Sequence, residues 1–106
     1  MTTLNPDDNY ATLINTFEVE PEHAEQLVEV LHEAAATMRK LHGFVSANLH
    51  VSTDRKRVVN YVQWRTRADF DAMQQNPEAQ PHMRQAAGIA TSYDPVFYTL
   101  RYADQV

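Results

Sequence analysis

Val58-Val59-Asn60-Tyr61-Val62-Gln63-Trp64 reads as a β-strand, because valine and tyrosine suit a pleated surface and the polar residues fall in alternation. Successive side chains of a strand point to opposite faces, so Val58, Asn60, Val62 and Trp64 share one face. That face is apolar apart from one amide and one indole N–H. Burying it requires partners for both groups. Core packing with an internally satisfied amide and a bound ligand are both readings of this row.

On the N-terminal side of this strand, Thr53-Asp54-Arg55-Lys56-Arg57 is a polar, charged connection. Before it, Phe44 to Thr53 alternates again, with Val45, Ala47, Leu49 and Val51 against Phe44, Ser46, Asn48 and His50. The two runs predict a hairpin. Its basic tip is a solvated turn rather than a nucleic-acid site. Further upstream, Ala24, Leu27, Val28, Leu31, Ala34, Ala35, Met38 and Leu41 recur at helical spacing. Pro21 suits the start of that helix, Glu22 and Glu25 its positive end, and Arg39 and Lys40 its negative end; Gly43 is its expected stop. Ala11 to Val19 alternates as a first strand, with Leu13, Asn15, Phe17 and Val19 on one side. Residues 1–10 read as a loose, flexible tail before a single domain over residues 11–106.

Beyond Trp64, Thr66 and Asp69 resemble a capping box, with Phe70 and Met73 on the buried side of a short helix that Asn76-Pro77 ends. Glu78 to Ala87 predicts a further helical piece, with Met83 and Ala87 inward and Gly88 closing it. Residues 88–95 read as loop, and Val96 to Tyr102 as the last strand. The order β-α-β-β-α-β is the ferredoxin-like pattern, an α+β fold whose usual strand order, 4-1-3-2, sets the first and third strands side by side at the centre of an antiparallel sheet. Asn15, Asn60 and Trp64 then line one space between sheet and helices. The other sheet face, with Ile14, Val59, Tyr61 and Phe97, is also substantially apolar. Two helices cover only one face, so the second is expected to meet another subunit as a homodimer.

Composition narrows the chemistry. One hundred and six residues suffice for one modest core. The net charge of −5 argues against nucleic acid as a partner. Without cysteine there is no disulfide framework, thiolate nucleophile or Cys-ligated metal, and two glycines leave no phosphate-cradling loop. The N-terminus has neither a basic region nor an apolar run, so no signal peptide or membrane span is expected and a cytoplasmic location is the default. The histidines at 23, 32, 42, 50 and 82 show no ligand spacing, so no metal site is expected. His50 and His82 are expected toward the interior as satisfied polar groups. Arg84 is placed either above the central strands or on the surface.

Gly43-Phe44-Val45-Ser46-Ala47, His50, Ser52-Thr53-Asp54 and the Val58–Trp64 run together resemble the antibiotic-biosynthesis monooxygenases. The likeness is greatest to the small anthrone oxygenases of aromatic polyketide pathways, which use no cofactor. It runs over most of the chain. The resemblance implies a dimeric α+β barrel and an oxidoreductase that converts an anthrone-like or other electron-rich phenolic substrate to a quinone with dioxygen. It also implies catalytic roles for Asn60, Trp64 and Arg84. Asn15 would lie beside the substrate, and Phe17, Phe70, Met73 and His50 would join it in the pocket. Phe70 stands where near relatives of that family carry a tyrosine whose hydroxyl lines the pocket. Haem-degrading monooxygenases share the fold and the Asn/Trp pair, but their axial histidine lies ten residues beyond the Trp, where this chain has Gln74. A third reading is a non-oxygenase of the same fold, an isomerase or ligand-binding dimer.

Overall fold

In the computed structural model, which describes residues 1–106, the alternating stretches pair into one antiparallel sheet. The elements are β1 (Ala11–Glu18), α1 (Ala24–Met38), β2 (Phe44–Val51), β3 (Arg57–Trp64), α2 (Arg67–Gln74), α3 (Gln80–Ile89) and β4 (Ser92–Tyr98). The sheet order is β2-β3-β1-β4, the expected ferredoxin-like arrangement with β1 and β3 central. All three helices cover one face of the sheet, where Val58, Leu13, Phe17, Val62 and Trp64 are buried.

Local sequence explains most of the helix ends. Thr66 Oγ1 accepts from the Asp69 backbone N–H and donates to Asp69 Oδ2, so the capping box is formed. Pro21 begins a short 3-10 turn over Pro21–His23, and α1 proper starts at Ala24. Gly43 is not the stop of α1, which ends at Met38. It has φ +84° at the entry to β2, a left-handed conformation that a side chain would strain, and a Cβ there would run into Asp69. Gly88 likewise lies inside α3 and does not end it.

The strands depart from the sequence expectation in two places. A bulge at Val45 makes Phe44 the partner of Trp64, so Phe44 joins the buried face instead of the opposite one. Its ring meets Trp64 edge-on at 5.5 Å. The last strand is β4 over Ser92–Tyr98 rather than Val96–Tyr102, and the connection before it is only residues 90–91. Pro95 is accommodated because β4 is the sheet edge, where a missing N–H disturbs no second ladder. The register puts Tyr93, Pro95 and Phe97 on the inner face, opposite Phe17, Asn15 and Leu13. Phe97 therefore leaves the outer face, and Tyr98 points away with half its surface exposed.

That outer face is more polar than its sequence suggested. Ile14, Val59 and Tyr61 are half-buried on it, beside a chain of polar contacts. Ser46 Oγ donates to Gln63 Oε1, Gln63 Nε2 donates to the Thr3 carbonyl, and Thr2 Oγ1 donates to Asn48 Oδ1. Thr2 and Thr3 are thus hydrogen-bonded to this face.

Candidate active site

Two buried clusters make up the core. One gathers Phe17, Leu27, Leu31, Val58 and Ala86; the other gathers Leu13, Val62, Trp64, Phe70 and Met73. Between them lies a cavity of about 260 Å³, near the lower end of small-molecule sites. It exists because the facing helices present short side chains: Ala34 and Ala35 from α1, Ala86 and Ala87 from α3. Edge-on aromatic contacts hold its far wall, Trp64 to Phe70 at 6.4 Å and Phe70 to Phe97 at 4.9 Å.

Asn15, Asn60 and Trp64 all line this cavity, as their shared strand face required. Asn15 and Asn60 are register partners on β1 and β3. Asn15 Oδ1, Asn60 Oδ1 and Trp64 Nε1 are buried and have no hydrogen-bond partner, and they are the only such side-chain atoms in the chain. Each unmet group costs about 1–3 kcal/mol. Three of them on one apolar cavity is the pattern of a site whose partners arrive with a ligand.

Of the remaining expected residues, Phe17 and Phe70 line the cavity. Three others do not. Arg84 is exposed on α3: His82, Met83, Ala86 and Ala87 form the inward face at i, i+4 spacing, which turns position 84 to the far side of the helix. His50 is exposed on the outer sheet face, between the inward Leu49 and Val51. Met73 is buried against Trp64 and Phe70 but stays behind the wall, whereas Gln74 on the same helix reaches the cavity.

The structure adds lining residues that sequence reasoning left aside. His82 Nε2 lies 3.2 Å from Thr37 Oγ1 of α1, and Tyr93 and Pro95 contribute from β4. His82 was legible as a member of the inward helix face. Tyr93 and Pro95 were not, because they fall in residues 88–95, expected as loop. No group of three or more His, Cys, Asp or Glu side chains is placed to hold a metal ion. No helix is long and apolar enough to cross a membrane.

Comparison with known proteins shows the family. The family described as antibiotic biosynthesis monooxygenase matches residues 11–86. Tetracenomycin-F1 monooxygenase of Streptomyces glaucescens is 40% identical over 98 residues, spanning 92% of this chain and 87% of that protein. Among solved structures, a monooxygenase from the ActVA-Orf6 gene of Streptomyces coelicolor, in complex with nanaomycin D, superposes with a TM-score of 0.85 at 26% identity, covering 94% of this chain and 95% of the other. SnoaB, a cofactor-independent oxygenase from Streptomyces nogalater, shares the fold with a TM-score of 0.77 at 22% identity, covering 90% and 96% of the two chains.

Proposed function

The chain belongs to the antibiotic biosynthesis monooxygenase family and is a monooxygenase, and we propose that it oxidises an anthrone-like or related electron-rich phenolic substrate to a quinone with dioxygen, using no cofactor. The observation that carries this reading is the trio of unpartnered buried polar atoms on Asn15, Asn60 and Trp64 facing an otherwise apolar cavity. A flat aromatic keto-phenol supplies what they lack: hydroxyl hydrogens for the amide oxygens and an oxygen for the indole N–H.

Triplet dioxygen reacts poorly with closed-shell molecules, but an enolate can pass it one electron and then recombine with the reduced oxygen. The protein has to bind the flat molecule, favour its enolate oxygen and keep water out. The buried, unpartnered Trp64 N–H is a neutral donor suited to that oxyanion, and the Asn60 amide adds a second when its N–H rather than its oxygen is turned to it. Asn15, opposite Asn60, orients a substrate hydroxyl. The sum balances: a ring methylene and one dioxygen become a carbonyl and one water. Arg84, exposed on α3 and off the cavity wall, is given no role in this reading.

The reading includes a homodimer formed through the outer sheet face, around Ile14, Val59 and Tyr61, in the cytoplasm. Sedimentation of Val59→Glu as a monomer beside a dimeric wild type supports that assembly; identical sedimentation refutes it. The function is tested by oxygen uptake with a panel of anthrones and naphthols. Uptake and quinone formation that fall sharply in Trp64→Phe and Asn60→Ala, with the fold intact, are expected. Equal rates in both variants would exclude the assignment. A stoichiometric Soret shift on haem titration, with haem degradation, would favour the haem-degrading branch instead; Gln74 on the cavity wall offers only an amide where that branch has an imidazole.

A further inference from the structure

We propose that His82 is the base that takes the proton from the substrate's reacting carbon, held in position by Thr37. The inference rests on the function proposed above and adds the residue that starts it.

Making an enolate requires a proton acceptor, and the cavity wall holds few candidates. Among its lining residues only His82 and Tyr93 titrate. No carboxylate or lysine lines it, and β1, β2, β3, α1 and α2 contribute no titratable side chain. Phe70 brings no hydroxyl. Tyr93 is about half exposed at 54%, and a phenol is protonated, hence a poor acceptor, at neutral pH. Imidazole is the side chain whose charge changes between about pH 5 and 8, which suits a general base.

His82 has the surroundings such a base needs. It is half-buried, makes no ion pair, and its one side-chain partner is the Thr37 hydroxyl, 3.2 Å from Nε2. With the Nε2 proton donated to Thr37, Nδ1 carries the free lone pair and has no partner within the chain. A base fixed by a third group is the usual arrangement for proton abstraction. The placement also fits the substrate. In an anthrone the ketone carbon and the methylene carbon lie at opposite ends of the central ring. The ketone oxygen binds the sheet residues Asn60 and Trp64, and the methylene turns to the helical wall, where α3 carries His82. In the step itself a methylene C–H bond breaks, the proton passes to the imidazole nitrogen, and the electron pair remains on the substrate as the enolate. Dioxygen is the oxidant that follows.

The step can be observed without dioxygen. Wild-type protein under anaerobic D₂O should exchange the methylene hydrogens of dithranol faster than buffer, read by mass spectrometry. His82→Gln and His82→Asn, each checked by circular dichroism, should lose at least about a hundredfold of that enhancement, within the range of general-base effects. Added imidazole should restore part of the exchange to His82→Ala, which a merely structural role would not allow. Thr37→Val should keep measurable exchange while changing its pH profile. Wild-type exchange rates in both His82→Gln and His82→Asn, with normal oxygen uptake, would overturn the role of His82 and leave the oxygenase reading standing. Wild-type protein that promotes neither exchange nor oxygen uptake with any anthrone would overturn both.

Discussion

Asn15 and Asn60 stand directly opposite one another on β1 and β3, and the amide oxygen of neither has a hydrogen-bond partner. Two adjacent central strands therefore each spend one inward position on a polar group that the fold leaves unmet. Stability alone would select apolar residues there.

Replacing Asn60 with leucine should separate stability from activity. Removing a buried, unpartnered amide in favour of an apolar group of similar shape is expected to be neutral or to stabilise the fold by about 1 kcal/mol. Turnover should fall at the same time by a factor of about 100 or more, the usual effect of losing one preorganised donor. Thermal melts and oxygen uptake on the same sample check both halves. A large loss of stability would mean that the amide is a structural group.

Arg84→Gln should leave turnover within a factor of about two, as for surface positions away from special features. The side chain is exposed and outside the cavity wall. A hundredfold loss in steady-state kinetics would contradict this placement.

Gly43→Ala should destabilise the protein by about 1–3 kcal/mol, because φ +84° is strained for any side chain and the new methyl would collide with Asp69. Gly43 also precedes the bulge that turns Phe44 toward Trp64, so oxygen uptake should fall as well. The midpoint of urea unfolding measures the first effect.

Asp69 accepts hydrogen bonds from His42 Nδ1 and Thr66 Oγ1, which hold its carboxyl below the ordinary value of 3.8. A carboxyl depressed in the folded state contributes stability above its unfolded value, and that contribution is lost as pH falls through the lower, folded one. Stability should therefore decline below pH 3.8. In Asp69→Asn that decline should be shallower. Melting temperatures taken from neutral to about pH 3 decide it. An identical acid slope in the two proteins would remove Asp69 from the account.

Much of the fold was legible because it depends on local periodicity. Alternation in β1, β2 and β3, the helical stripe of α1 and the Thr66–Asp69 box all specify their elements through neighbouring residues. The likeness to the monooxygenase family, read from the third strand and its neighbours, is borne out. Two departures share a cause. Gly43, expected as a helix stop, and residues 88–95, expected as loop, are placed by groups far along the chain: Gly43 avoids a collision with Asp69, and Ser92 to Pro95 pair with β1 in an edge strand.

The sequence by itself determined that Asn60 and Trp64 share a face, since two-residue alternation leaves no alternative along a strand. It also carried the resemblance that suggested their role. Only the tertiary structure decided whether that face is packed or hollow. The answer depends on the alanines of α1 and α3 lying across from the sheet, and on the absence of partners for three buried atoms. Only the structure, too, decided between the two placements open to Arg84, which it leaves exposed on α3 and off the cavity wall. Which face of a helix meets a cavity is set by how the whole helix packs, and no local pattern of charge records that.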